Sequence, residues 1–322
     1  MPFIFLMLPP QTAITRGWAR LLAAELPFVQ VVAAETAAEA TAAIPTAEAA
    51  FGTLTPALLA AAGRLRWLQA PQAAPPAGYY FPDLVSHPAD VTNMRGIYND
   101  HIGAHILAFV LAFARDFPTY LPAQLRGKWS PRPLDTGVLA LDECTALIVG
   151  LGGIGAEAAR LLAAFGVRVL ATDARRTAPS EGVTELHPPA ALDGLLGRAD
   201  FVVLTVPHTP ATEGFMDRAR FRRMKPGAFF INIGRGRTTK LDDLADALRA
   251  GELAGAGLDV FETEPLPAGH PLWTLPGVLI TPHTAGYGPH LDERRYAIIR
   301  DNCRAFEAGT KLCNLVDKAN WF

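Results

Sequence analysis

The sequence predicts an α/β protein, with a doubly wound parallel sheet domain joined to a smaller α/β domain. Three observations carry this. From Cys144 onward short apolar runs alternate with helical patterns, the signature of a parallel sheet covered on both faces through right-handed crossovers. Residues 147–173 read as one strand, a glycine-rich turn, a helix and a second strand. Residues 3–70 repeat the alternation on their own, ahead of a long helical stretch near residue 99.

Taken in order, residues 3–8 read as a strand, 12–26 as a helix, 29–33 as a strand and the Ala-rich 36–43 as a weaker helix. Residues 49–53, 56–62 and 65–70 continue the pattern. Pro71, Pro75, Pro76 and Gly78 make a rigid loop, and 91–95 suits one more short strand. Asn99 or Asp100 is placed to cap a long helix with Ile102, Ile106, Phe109, Val110, Phe113 and Phe117 at helical spacing, which Pro118 should stop. Residues 121–142, with Trp129, have little pattern; such an arm either packs on a second subunit or is a surface connection. Further strands are expected at 184–187, 200–206, 228–233, 254–260 and 278–281, and a last helix at 291–308 with Ala297, Ile298 and Phe306 on its apolar side. The tail through Leu312 to Val316 should return to the first domain. The boundaries are therefore 1–98 with 291–322 for the smaller domain and 99–290 for the larger, with 118–142 as a dimerisation arm.

Composition narrows the function. A formal charge of −2 gives no basic field for nucleic acid or an anionic membrane, leaving small-molecule chemistry as the default. Cys144, Cys303 and Cys313 form neither a CxxC pair nor an even set, which fits a reducing cytoplasm better than a disulfide framework or zinc cluster. The apolar run at 3–8 is too short for a signal segment, and no uninterrupted stretch reaches membrane-spanning length.

The 147–173 unit points to a dinucleotide. Gly150 permits a tight turn, Gly152 lets a pyrophosphate approach the backbone, Gly155 lets helix and strand pack closely, and the helix start at Gly153 and Ile154 offers N–H groups to phosphate. Asp173, at the end of the second strand, can accept both hydroxyls of an adenosine ribose and so favours NAD; Arg175 and Arg176 beside it leave NADP open.

In an open parallel sheet, ligands bind beyond the carboxyl ends of the strands. The residues there are unusual: Pro207-His208, Gly234-Arg235-Gly236, Asp259 with Glu262 and Glu264, and Pro282-His283-Thr284. An arginine between two glycines suits clamping a carboxylate with two parallel charged hydrogen bonds, and a histidine beside a carboxylate is a proton-transfer pair. Hydride chemistry on a 2-oxo acid needs both. His101 and His105 share a helix face at metal-ligand spacing, but without a third ligand they read as cleft-facing or packing residues, and no metal is expected.

These blocks together resemble the D-isomer-specific 2-hydroxyacid dehydrogenases: 149–155 (VGLGGIG), 207–212 (PHTPAT), 224–228 (MKPGA), 231–236 (INIGRG), 257–261 (GLDVF), 264–267 (EPLP) and 281–286 (TPHTAG), in the family's order. The resemblance implies a Rossmann domain and a discontinuous, flavodoxin-like substrate domain made of both chain ends. It also implies hydride transfer between nicotinamide C4 and C2 of a 2-oxo or 2-hydroxy acid, and a homodimer. His283 would be the general acid/base, Glu264 would hold it protonated, and Arg235 would bind the substrate carboxylate and polarise the 2-oxo group. Asp259 would sit near the nicotinamide carboxamide, with Pro207, Thr212, Ile233 and Gly286 completing the cofactor site and Ala73 and Ala74 in the substrate loop.

Three departures touch the substrate side. The loop that presents N–H groups to the carboxylate reads Pro71-Gln72-Ala73-Ala74-Pro75-Pro76, rich in residues with no N–H. Ile102-Gly103-Ala104 stands where Val-Ala-Glu is common. Arg237-Thr238-Thr239-Lys240 adds positive charge. The reading is therefore an NAD-dependent reductase of a glyoxylate- or hydroxypyruvate-like, or bulkier, 2-oxo acid. The alternatives are a phosphoglycerate-type dehydrogenase and a non-catalytic NAD-sensing protein; glutamate rather than glutamine at 264 argues against a formate dehydrogenase.

Overall fold

The computed structural model describes residues 2–76, 78–134 and 136–320. They divide into two units, one taking in both chain ends up to Ile97 and from Pro289, the other spanning Tyr98–Gly288.

The first unit is built on five parallel strands: β1 (Phe3–Met7), β2 (Val29–Ala33), β3 (Ala49–Phe51), β4 (Trp67–Gln69) and β5 (Asp90–Thr92). Their order is β2-β1-β3-β4-β5, the flavodoxin-like arrangement. β3 and β4 are buried on both faces, which is why they read as continuous apolar runs. Thr12, Thr36 and Thr55 each accept an N–H from the first turn of the helix that follows, a cap worth about 1 kcal/mol.

The last helix, Leu291–Glu307, belongs to this unit. Its buried residues are Tyr296, Ile299, Asn302 and Cys303 rather than the expected Ala297 and Ile298, with Phe306 against Phe3 and Trp67. The tail follows β5, with Val316 N–H donating to Val91 O at 2.8 Å.

The second unit has seven parallel strands: β6 (Thr145–Val149), β7 (Arg168–Thr172), β8 (Val183–His187), β9 (Phe201–Leu204), β10 (Phe229–Asn232), β11 (Gly255–Leu258) and β12 (Val278–Ile280). The order β12-β11-β10-β9-β6-β7-β8 is that of a doubly wound dinucleotide-binding sheet, with its switch point between β6 and β9. Alternate residues feed two cores. Leu147 and Val149 join Leu195, Phe221 and Leu244 on one face, while Ala146 and Ile148 join Phe109, Phe113, Ala158 and Leu162 on the other. On the second face the helices Asn99–Ala114 and Gly153–Ala164 cross closely. A Cβ on Gly103 would stand 2.8 Å from Glu157 Cγ, so the glycine in the departure at 102–104 lets the helices pack without displacing the Glu157 side chain.

Two local expectations fail. The N-cap of the long helix is Tyr98, whose side chain makes no capping bond to the helix N–H groups; the Asn99 side chain instead fills the space beside Gly153. The helix ends at Ala114, before Pro118. Asp116 turns the chain in the left-handed region (φ 56°), and Pro118 lies in the first turn of a new helix, Phe117–Leu125, where a missing N–H costs nothing. The arm expected to lack pattern thus begins as a helix. Among the described residues no single helix is long and apolar enough to cross a membrane.

Candidate active site

The turn after β6 is fixed by backbone proximity. Gly150 has φ 97°, a region open to glycine, and a Cβ on Gly155 would lie 2.1 Å from Gly150 O. Thr205 Oγ1 donates to Gly150 O at 2.5 Å and ties the turn to β9. Gly152, the N-cap of the following helix, has nothing within 4 Å of where a Cβ would stand. That open flank and the N–H groups of Gly153, Ile154 and Gly155 suit a pyrophosphate.

Asp173 follows β7, but its carboxylate already accepts Leu151 N–H on Oδ2 (2.7 Å) and the N–H groups of Arg175 and Arg176 on Oδ1 (2.8 and 2.9 Å). Burial alone would raise this carboxyl; the three N–H bonds outweigh it and hold it below the ordinary value. Of about four lone-pair positions one is left, so the expected acceptance of both ribose hydroxyls is corrected to one at most. Asp173 chiefly fastens the glycine turn to the 173–176 loop.

Beyond β10, Gly234-Arg235-Gly236 is held by Asn232, a buried residue the sequence reading passed over. Asn232 Oδ1 accepts Gly234 N–H (2.9 Å), while Nδ2 donates to Arg235 O (3.2 Å) and Thr239 Oγ1 (3.0 Å). A Cβ on Gly236 would lie 1.9 Å from the carbonyl of Phe261, so only glycine fits. The Arg235 guanidinium donates to Gly234 O at 2.6 Å. Burial lowers its pKa and the Glu264 carboxylate opposes that, leaving a cation poised for a carboxylate. Thr238 and Thr239, part of the departure at 237–240, are buried in this bracket, whereas Arg237 and Lys240 are exposed.

His283 Nδ1 lies 2.7 Å from Glu264 Oε2, and Glu264 Oε1 accepts Phe261 N–H at 3.0 Å. The carboxylate therefore fixes the ring and leaves Nε2 for a ligand. His283 has φ 55°, a conformation costing a non-glycine residue about 1–3 kcal/mol, which only surrounding bonds can sustain. They come from Asp259: its main-chain O accepts His283 N–H (2.8 Å), Oδ1 accepts Thr284 N–H (2.8 Å) and the Thr281 hydroxyl (2.6 Å), and Oδ2 accepts Ala285 N–H (2.9 Å). Like Asp173, Asp259 has one acceptor position left for a ligand.

The remaining expected residues fall in several places. Pro207 and Thr212 share the loop after β9, where Thr212 Oγ1 donates to Pro207 O at 2.7 Å and so closes the loop on itself. Ile233 is buried after β10, and Gly286 lies beside Tyr98 and Ile102. Ala73 and Ala74 belong to the other unit, after β4, where Ala73 O accepts Asn93 Nδ2–H at 2.8 Å. His105 pairs with Thr281 and His101 abuts Gly288; among the described residues no cluster of three His, Cys, Asp or Glu could hold a metal.

A glycine-turn sheet with arginine, glutamate and histidine at successive strand ends defines a dinucleotide-dependent oxidoreductase. A model of the NAD-binding domain of the D-isomer specific 2-hydroxyacid dehydrogenases matches residues 107–285, more than half the chain. The glyoxylate reductase/hydroxypyruvate reductase of Homo sapiens is 37% identical over 189 residues, covering 58% of this chain and 57% of that enzyme. The D-isomer specific 2-hydroxyacid dehydrogenase of Xanthobacter autotrophicus Py2, solved with NADPH and MES, matches all of both chains at TM-score 0.85 and 30% identity. The NADPH-dependent glyoxylate/hydroxypyruvate reductase of Sinorhizobium meliloti, solved with NADP and sulfate, matches all of both at TM-score 0.82 and 27% identity. The chain belongs to the D-isomer specific 2-hydroxyacid dehydrogenases, NAD(P)-dependent oxidoreductases acting on CH–OH groups.

Proposed function

We propose that this chain reduces a small 2-oxo acid of the glyoxylate and hydroxypyruvate class, or a bulkier relative, to the D-2-hydroxy acid. The observation that carries the reading is the His283–Glu264 pair at 2.7 Å, with the half-buried cation of Arg235 near Glu264. Arg235 binds the substrate carboxylate and polarises the 2-oxo group. Nicotinamide supplies the hydride to C2 when bound. His283 donates its Nε2 proton to the carbonyl oxygen as charge develops there, and Glu264, accepting Nδ1–H, keeps the ring oriented through the transfer. In oxidation the same groups work in reverse.

NADPH is used as well as NADH. Asp173 spends most of its acceptors on the backbone, which weakens its discrimination against a 2′-phosphate, and the two solved relatives above carry NADPH and NADP. The protein acts as a cytoplasmic homodimer, its exposed Leu125, Trp129 and Leu134 lying on the expected arm.

The test is oxidation of NADH and NADPH with glyoxylate, hydroxypyruvate, pyruvate and bulkier 2-oxo acids, for the parent and His283→Ala. Turnover with at least one acid, reduced about 10²–10⁴-fold by the substitution, is expected. Cofactor binding without turnover on any acid would overturn the reading in favour of a sensing protein.

A further inference from the structure

His105 sits on the helix Asn99–Ala114, well away in sequence from every block of the site, and its ring is half-buried edge-on to Phe109, centroids 4.8 Å apart. Its Nε2 lies 3.0 Å from Thr281 Oγ1, which lies 2.6 Å from Asp259 Oδ1. The direction of this chain follows from its end. An ionised carboxylate only accepts, so the Thr281 hydroxyl donates to Asp259 and its lone pair must accept from His105 Nε2–H. The neutral ring therefore carries its proton on Nε2. Burial favours that neutral form by pulling the imidazole pKa down, against the opposing charge of Asp259.

The chain ends on the group that holds the catalytic loop. Asp259 takes the N–H groups of Thr284 and Ala285 on its two carboxylate oxygens and that of His283 on its main-chain oxygen. These bonds sustain His283 in the left-handed region. A carboxylate relieved of the Thr281 hydroxyl would be free to rotate off one N–H, and the loop would lose the restraint that aims the ring.

We propose that His105 is a positioning residue for the proton-transfer histidine, acting through the Thr281 hydroxyl and the Asp259 carboxylate to lock the 281–285 loop. The inference rests on the reading of His283 as general acid/base, and its test has a readout that does not depend on turnover.

The variants are His105→Leu, which keeps bulk and removes the donor; His105→Gln, whose side-chain amide N–H reaches the Nε2 position; and Thr281→Val, which removes only the hydroxyl. Two quantities are measured on the full chain: kcat with the best 2-oxo acid, and hydrogen exchange of the Thr284 and Ala285 amides. His105→Leu and Thr281→Val should each lower kcat about tenfold to a hundredfold and speed exchange at both amides. His105→Gln should restore most of both. Equal loss in His105→Leu and His105→Gln, or exchange as slow as in the parent in all three, overturns the proposal. Faster exchange in the Leu and Val variants, restored by Gln, while His283→Ala remains fully active upholds the positioning and overturns the role of His283 instead. Should His105→Leu fail to fold, Thr281→Val carries the same comparison.

Discussion

The two units are built alike, as parallel sheets wrapped by helices, yet they bury polar side chains to different ends. In the first unit the buried polar residues join distant pieces of chain. Trp67 Nε1–H donates to Thr92 Oγ1 (2.8 Å), the Thr92 hydroxyl to Gln69 Oε1 (2.7 Å), and Asn302 Nδ2 to the same oxygen (3.1 Å), while Asn302 Oδ1 accepts Cys313 N–H (2.7 Å). This network fastens the returning helix and tail onto β4 and β5, and no charged side chain depends on it. In the second unit, Asn232 and Asp259 stand directly at or after strand ends, and their bonds terminate on the loops that carry Arg235 and His283. Buried polarity stabilises the fold in one place and aims chemistry in the other, so substitutions should separate stability from turnover according to the unit they fall in.

After His283→Ala, the largest effect on catalytic efficiency without an effect on stability is expected at Arg235. Arg235→Lys keeps the charge but loses the planar fork, and with it a charge-assisted hydrogen bond worth about 1.5–3 kcal/mol. Steady-state kinetics should show kcat/KM lowered by up to about a hundredfold at that energy, mostly through KM, with an unchanged thermal midpoint. A midpoint that falls with activity would mean that the Arg235 bracket supports the fold as well, and the contrast between the units would break.

Next comes Asn302→Ala, the mirror experiment. It strips Cys313 N–H of its partner and Gln69 Oε1 of one of two, with Asn302 and Gln69 fully buried and the bond to Cys313 partly so, at a cost of about 1–3 kcal/mol. Urea denaturation should lose that much stability while kcat, measured well below the transition, stays at the parent value. A parallel loss of kcat would show that the first unit's network reaches the chemistry.

The same contrast explains what the sequence disclosed. Strands buried on both faces are largely apolar, so β1, β6, β9 and β10 were legible, as was the Gly150-to-Gly155 turn, where Gly150 and Gly155 answer to close backbone contacts. Arg235, Glu264 and His283 stood out because charged residues just after buried strands have few structural uses. Asn232 and Thr281 did not, and His105 was legible only as a cleft-facing or packing histidine. Their partners are set by register: β11 pairs with β12 so that Leu258 faces Ile280, which carries Asp259 next to Thr281 across a separation of 22 residues. No local pattern encodes that pairing, and His105 is 176 residues from Thr281. The turn at Asp116 was equally silent, since a left-handed residue between two helices leaves no periodic mark and Pro118 fits a helix start as well as a stop.

The smallest effect sharpens the comparison most directly, because each unit holds one buried cysteine. Burial pushes the Cys144 thiol up to about 11 and the Cys303 thiol up to about 12, whereas Cys313 is exposed. At pH 8 almost no thiolate forms at either buried site, so alkylation proceeds only from opened molecules, in which a thiol titrates near the free value of about 8.5. Cys313 should react first and serve as the reference. Cys144 immediately precedes β6 and reports opening of the second unit; Cys303, on the returning helix, reports opening of the first. A cofactor that binds the closed second unit lowers its open population by the factor 1 + [L]/Kd, so NADPH at four times its Kd should slow Cys144 labelling about fivefold. If the units open separately, Cys303 labelling measured by mass spectrometry in the same samples stays unchanged. Equal protection of both cysteines would mean that the chain opens as one cooperative body, and that the polar network around Asn302 and the one around Asp259 are lost in a single step.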